Sequence, residues 1–240
     1  MTAQLGPLRV VVVVPAFNEE HSLGAVLDEL RCQLPSADVV VVDDGSTDRT
    51  GEVAQTRGVG LIRLPFNCGI GVTMQTGYLL ARRNNYDVAI QVDGDGQHDP
   101  AELEQLIAPI VQDTADVVIG SRFLRDEGDK STAARRAGIA WFSAIISRLS
   151  GQHITDPTSG FRAANRAAIS AFASDYPNDY PEPEVIVRLC RRGFRISEVP
   201  VTMRERQGGK SSITALRSAY YMLKVTLSIL VGLFRTTARR

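Results

Sequence analysis

The chain has 240 residues and balances 27 Lys+Arg against 27 Asp+Glu, so its formal net charge is zero and its composition is that of an ordinary soluble globular protein. The zero hides a split: residues 1–120 carry 7 Lys+Arg and 17 Asp+Glu, a balance of −10, and residues 121–240 carry 20 and 10, a balance of +10. Three cysteines without paired spacing suggest neither a disulfide framework nor a zinc site, and no apolar stretch reaches the ~20 residues of a membrane span.

A chain of this length buries a full core, as one large α/β domain or as a domain with an appendage. No signal peptide is expected, because the apolar run at 10–14 is short and Pro15 follows it at once. That run belongs instead to residues 8–14, which with 39–42 form continuous β-branched segments, the pattern of central parallel strands buried on both faces. Between them Leu23, Val26, Leu27, Leu30 and Leu34 recur at helical spacing, with Glu19 and Glu20 suited to the helix N-terminus. Ser46-Thr47-Asp48 opens a second helix. Residues 60–64 read as a third strand, 71–83 as a helix and 88–93 as a fourth strand. A helix over 100–112 starts at Asp99-Pro100, a cap followed by proline, and 116–120 is a fifth strand.

This alternation implies an α/β fold, a Rossmann-like, doubly wound and mostly parallel sheet flanked by helices. Ligands of such sheets sit beyond the carboxyl ends of the strands. Three polar motifs, at 15–19, 43–44 and 93–97, lie there and converge on one crevice.

After Gly120 the texture changes. Residues 121–131 form a charged loop, and 133–150 a helix with Ile139, Phe142, Ile146 and Leu149 on one side. Residues 155–165 contain a Gly-Phe turn or short strand, 184–192 are helical, 195–201 a strand and 204–212 a polar basic loop. Ile213, Leu216, Tyr220, Leu223, Leu227, Leu230 and Phe234 then alternate at spacings of three and four. This C-terminal amphipathic helix, 213–240, is expected to lie in a membrane interface or to pack against a second subunit, in preference to packing on its own domain, 1–212.

Gln91-Val92-Asp93-Gly94-Asp95-Gly96-Gln97-His98 carries the strongest local signal. Residues i and i+2 of a strand share a face, so Asp93 and Asp95 can address one hard cation, and Mg²⁺ or Mn²⁺ favours such oxygens alongside substrate phosphates. The glycines remove side chains where a ligand must approach the backbone. Alone, the segment also fits an acidic turn after a strand.

Five motifs in order decide between these readings. Pro15-Ala16-Phe17-Asn18-Glu19-Glu20, Val42-Asp43-Asp44-Gly45-Ser46, Asp93-x-Asp95 with Gln97, Gly120-Ser121-Arg122 and Ser159-Gly160-Phe161-Arg162 resemble the family 2 glycosyltransferases of the GT-A fold. Within them the chain is most similar to the polyprenyl-phosphate glycosyltransferases of the dolichol-phosphate mannose synthase type, over about 10–212.

The resemblance implies that Pro15, Phe17, Glu19, Val42 and Asp44 hold the nucleotide, with Asp43 able to serve either as a nucleotide contact or as a turn former. It implies that Asp93, Asp95 and Gln97 bind Mg²⁺ or Mn²⁺, and that Gly94 leaves space beside the donor; His98 is not taken as a ligand. Arg122 matches the acceptor-phosphate arginine. Arg136, with Arg135 before it, falls near a second phosphate contact. Arg206 lies in the loop that closes over the substrates, where Lys210 would supply a charge that the family places at the position of Ser212.

The expected catalytic set is Asp95, Asp156, Arg122 and Arg206. A phosphate monoester has its second pKa near ~6, so a lipid phosphate attacks unaided, whereas a hydroxyl acceptor needs a base. Asp156 lies where hydroxyl-using relatives carry that base, and it can instead organise the site or contact metal or sugar. The implied reaction is metal-dependent, inverting transfer from a nucleotide-diphosphate sugar to an undecaprenyl or dolichyl phosphate. It would proceed in the cytoplasm, peripherally at the inner face of the cell membrane. A homo-oligomer formed through the C-terminal helix is a further expectation, and nucleic acid is not an expected partner. The alternatives are transfer to a saccharide hydroxyl and a non-catalytic nucleotide-sugar-binding subunit.

Overall fold

The valines of strand β1 (Val10–Ala16) alternate between two apolar clusters: Val11 and Val13 enter one, Val12 and Val14 the other, all without exposed surface. Successive side chains of a strand point to opposite faces, so a run of valines demands cover on both sides. The computed structural model describes residues 8–124, 133–178 and 181–204, together with Lys224, Thr226 and Leu227; the side chains of 133–137 and 150 lie outside the description. The remaining strands are β2 (Asp38–Asp43), β3 (Gly60–Arg63), β4 (Val88–Gln91), β5 (Val117–Ser121), β6 (Arg162–Asn165) and β7 (Ile196–Pro200). They form one seven-stranded sheet in the order β3-β2-β1-β4-β6-β5-β7.

Helices cover both faces. Helices α1 (Leu23–Gln33), α2 (Thr50–Thr56) and α4 (Leu103–Val111) pack on the Val12–Val14 side through Leu23, Leu27, Leu30, Ala54, Leu103 and Leu106. Helices α3 (Ile70–Arg83), α5 (Ala133–Ser150), α6 (Arg166–Ser174) and α7 (Pro181–Arg191) cover the Val11–Val13 side through residues such as Met74, Tyr78, Phe142, Phe172 and Ile186. A 3₁₀ turn at Pro100–Glu102 precedes α4, its Asp99 cap accepting from the Ala101 N–H at 2.9 Å.

The strands expected from the sequence are present, and the mostly parallel α/β sheet flanked by helices that they implied is the one observed. Two departures have physical causes. Helix α2 begins at Thr50 and not near Ser46, because Asp48 accepts from Thr50 N–H and Glu20 N–H and holds the chain in turns until then. Strand β6 runs antiparallel to both β4 and β5, so the sheet is mixed. Register pairs Arg162 with Gln91 of β4 and with Ile119 of β5. The loop preceding β6 therefore arrives at the same sheet edge as the loops that leave β4 and β5. That one reversed strand brings 155–161 to the crevice.

Among the described residues no helix is long and apolar enough to cross a membrane. The expected helix 213–240 lies outside the described residues apart from Lys224, Thr226 and Leu227, and so does the loop from 205 to 212.

Candidate active site

The loops after β1 and β2 lie side by side and are stitched together. Asn18, in a left-handed conformation at φ 56°, donates its N–H to Ser46 Oγ at 2.9 Å and accepts from Thr47 N–H at 2.9 Å. Glu19 N–H donates to Thr50 Oγ1 at 2.8 Å, and Ser22 Oγ lies 2.9 Å from Glu19 Oε2 and 2.8 Å from the Gly94 carbonyl, its single proton serving one or the other. Pro15 and Val42 are paired in register on adjacent strands. Phe17, just beyond, is 43% exposed, a large aromatic face left open at the strand ends.

Asp43 and Asp44 are both buried. Asp43 Oδ1 caps the turn through Ser46 N–H at 2.9 Å, while Oδ2 faces Arg63 Nε at 3.2 Å, an ion pair in distance that lacks hydrogen-bond alignment. Asp44 accepts from two successive backbone groups, Cys68 N–H at 2.7 Å and Gly69 N–H at 2.9 Å. It thereby anchors the chain entering α3. Gly45 has φ 72°, and a Cβ there would lie 2.5 Å from the Phe66 carbonyl carbon, so this turn admits only glycine.

The 93–97 loop follows β4. Asp93, Asp95 and Gln97 are half-buried, whereas Val92, Gly94, Gly96 and His98 between and beside them are buried. The loop is held from beneath: Val92 N–H donates to the Val13 carbonyl and Gly94 N–H to the Pro15 carbonyl. Asp93 Oδ1 accepts from Gln91 Nε2 at 3.1 Å, and Asp95 Oδ1 accepts from Gln97 N–H at 3.0 Å. His98 stacks on Phe161 with ring centroids 4.8 Å apart, and its Nδ1 accepts from Asp93 N–H at 3.0 Å. A ring nitrogen that accepts carries no proton, so the imidazole proton sits on Nε2, 3.7 Å from Asp93 Oδ2.

Gly160 closes the opposite side. A Cβ there would lie 2.9 Å from Gln91 Nε2 and 3.1 Å from Asp93 Oδ2, so glycine lets the 155–161 loop approach the carboxylate. No group of three or more His, Cys, Asp or Glu able to hold a metal occurs among the described residues. Two carboxylates and an amide fit Mg²⁺ or Mn²⁺, which keep positions for water and donor phosphate oxygens. Glu182, in the first turn of α7, has its carboxyl pushed up by burial; Arg162 opposes that rise and Asp93 adds to it.

Arg122 leaves the end of β5 and is gripped by Asp156. Its Nε donates to Oδ2 at 2.6 Å and one terminal nitrogen donates to Oδ1 at 2.7 Å and to Thr158 Oγ1 at 2.9 Å. Asp156 has no exposed surface and Arg122's side chain little. Arg162 is also buried and donates to the carbonyls of Ser159 and Pro157 at 2.7 and 2.9 Å, fixing the loop that carries Asp156.

The structure thus gathers Pro15, Phe17, Glu19, Val42, Asp44, Asp93, Gly94, Asp95, Gln97, Arg122 and Asp156 along one edge of the sheet. Arg136 lies on the first turn of α5 with its side chain outside the description, and Arg206 and Lys210 lie outside the described residues. The described chain ends this loop at Arg204, whose N–H donates to the Gln97 carbonyl at 2.9 Å. Sequence reasoning missed Ser22, Thr158 and Glu198, whose contacts to Gly94, Arg122 and Thr155 join segments far apart in the chain. Gln91 stands in the 91–98 motif, but its contact to Asp93 two residues on was not read.

A family model described as "Glycosyl transferase family 2" matches residues 11–172, more than half of the chain. The chain belongs to this family. It is a glycosyltransferase of the GT-A fold. Relatives of this family 2 chain include an undecaprenyl-phosphate mannosyltransferase of Micrococcus luteus, 33% identical over 86% of this chain and 88% of that protein. A polyprenol monophosphomannose synthase of Mycolicibacterium smegmatis is 30% identical over 90% of this chain and 85% of its own length. Glucosyl-3-phosphoglycerate synthase of Mycobacterium tuberculosis, crystallised with Mn²⁺, UDP and phosphoglyceric acid, superposes with a TM-score of 0.71 at 20% identity, covering 96% of this chain and 80% of that one. At that identity the likeness concerns the fold.

Proposed function

We propose that this family 2 enzyme transfers a sugar, with inversion, from a nucleotide diphosphate to a polyprenyl phosphate. The observation that carries the choice of acceptor is the state of Asp156. A general base must reach the proton that it removes. Asp156 is without exposed surface and both of its oxygens are engaged by Arg122, so it is built as a counter-ion and not as a base. An acceptor that needs no base suits this arrangement, and a phosphate dianion is one. The names of the relatives agree with that choice.

In this reading Phe17 covers the base, while Pro15, Glu19, Val42 and Asp44 shape the nucleotide's side of the crevice. Asp93, Asp95 and Gln97 would hold Mg²⁺ or Mn²⁺ against the donor diphosphate; bound there, the cation supplies positive charge to the leaving diphosphate. Gly94 does not open space for the sugar as expected: a Cβ there would face Pro15, Ala16 and Leu23, so this glycine lets the loop pack down on β1, as Gly160 lets the 155–161 loop approach Asp93. Arg122 orients the acceptor phosphate, whose oxygen attacks the anomeric carbon as the bond to the diphosphate breaks. Arg136, Arg206 and Lys210 add basic charge on the acceptor side. The enzyme would work at the cytoplasmic membrane face, its basic half and 213–240 segment toward the lipid, with self-association through that segment.

The test is incubation of metal-stripped protein with UDP- and GDP-sugars and a polyprenyl phosphate, with and without Mn²⁺ or Mg²⁺. A glycolipid should form only when metal is restored. Transfer solely to a saccharide hydroxyl would refute the acceptor assignment, and nucleotide binding without turnover would favour a binding subunit.

A further inference from the structure

Glu198 stands on β7, outside every motif described so far, yet it holds the loop that holds Arg122. Its Oε2 accepts from Thr155 N–H at 2.7 Å and from Thr155 Oγ1 at 2.8 Å, and its Oε1 accepts from Asp156 N–H at 2.8 Å. Two successive backbone donors at a sheet edge require acceptors, and one carboxylate serves both. Register places Glu198 opposite Ile119, two residues before Ser121, the last residue of β5. Ser121 Oγ lies 2.6 Å from Thr155 Oγ1, so the strand end and the loop share this anchor.

We propose that Glu198 is a positioning residue for Arg122, acting through Thr155 and Asp156. Glu198 sets the backbone at 155–156, that backbone aims the Asp156 carboxylate, and the carboxylate sets the plane and reach of the Arg122 guanidinium. Arg122 N–H also donates to Asp156 Oδ2 at 3.2 Å, so its backbone and its side chain answer to the same carboxylate. A bidentate fork fixes orientation as well as distance. This assignment rests on the reading of Arg122 as the acceptor-phosphate contact. It separates two roles for carboxylates around one arginine: Asp156 orients it directly, and Glu198 orients Asp156.

The variant Glu198→Gln is nearly isosteric but turns one accepting oxygen into a donor facing an N–H. In the full chain with Mn²⁺, UDP-glucose or GDP-mannose as donor and a short-chain prenyl phosphate as acceptor, it should raise the acceptor KM about tenfold and leave the donor KM within about twofold. The double variant with Asp156→Asn should be no worse than Asp156→Asn alone, because both act on one path. An unchanged acceptor KM, equal rises in both KM values or additive losses would overturn the proposal.

A second readout does not need the acceptor. The Arg122 Nε–H resonance of ¹⁵N-labelled protein, assigned by its loss in Arg122→Lys, should shift in Glu198→Gln, while that of Arg195, paired with Asp116 at another end of the sheet, stays in place as a folding control. If the wild-type protein glycosylates no prenyl phosphate, the acceptor reading falls and this resonance alone decides: a shift upholds the relay, an unmoved signal ends it. Should Glu198→Gln fail to fold, Thr155→Val removes the hydroxyl contacts to Glu198 and Ser121 and keeps the backbone ones, and Ser121→Ala removes the Ser121 contact alone. A rise of about threefold in acceptor KM in Thr155→Val beyond that of Ser121→Ala supports the relay, and equal values overturn it.

Discussion

Asp95 and Asp93 differ in how they are held, and single-residue tests follow from that. Asp95 caps its own loop through Gln97 N–H, and its half-buried side chain lies outside both apolar clusters. Asp95→Ala should abolish transfer while leaving the circular dichroism and melting temperature near wild type. Asp93 is crowded by Gly160, so Gly160→Ala should raise the Mn²⁺ concentration required for half-maximal activity by about tenfold, read in a metal titration at saturating donor. Asp116 gives a prediction about stability. Burial pushes its carboxyl up, but hydrogen bonds from Arg195 and from Asn165 outweigh that and hold it at about 2. A carboxyl depressed in the folded state stabilises at pH values above its unfolded pKa and loses that contribution as pH falls through the folded one. Wild-type protein should therefore be more stable than Asp116→Asn at neutral pH, and denaturant titrations should show the gap closing from about pH 4 down to about pH 2.

At the scale of elements, α5 is fastened by Ile139, Phe142 and Ile146, which have at most 6% exposure, while Trp141 on the same helix is 56% exposed. Phe142→Ala should cost about 3–5 kcal/mol in urea unfolding, and Trp141→Ala less than about 0.5 kcal/mol. Helix α3 begins against the segment preceding α7: a Cβ on Gly71 would sit 2.2 Å from the carbonyl oxygens of Pro177 and Asn178, so Gly71→Ala should destabilise by about 1–3 kcal/mol. The valine runs of β1 and β2 announced themselves because a strand covered on both faces has no polar positions. Strand β6 was barely legible, since Arg162-Ala-Ala-Asn165 has neither alternation nor β-branched residues and is a strand only because β4 and β5 flank it. Helix α6, built largely of alanine and serine and capped by Asn165, carried too weak an apolar stripe to be read. The 93–97 motif was legible because its residues are contiguous. The Glu198 anchor was not, because it joins residues 42 and 43 positions apart.

For the whole molecule, the −10/+10 division of charge matches the order in which the fold uses the chain. In the proposed reading the acidic half supplies the β1, β2 and β4 loops that would face nucleotide and metal, and the basic half supplies Arg122, which would face the acceptor. The reversed strand β6 joins the two, because the loop before it touches Asp93 through Gly160 and Arg122 through Asp156. On this account the enzyme contributes orientation and charge, and the acceptor brings its own ionised nucleophile. The most direct test is a matched pair of acceptors, a prenyl phosphate and the prenyl alcohol of identical chain length, assayed with one nucleotide sugar and Mn²⁺ across a pH series. The account predicts transfer to the phosphate, with a rate that falls as pH drops below about 6, and none to the alcohol. Transfer to the alcohol, sustained by a group titrating in the protein and lost in Asp156→Asn, would contradict it.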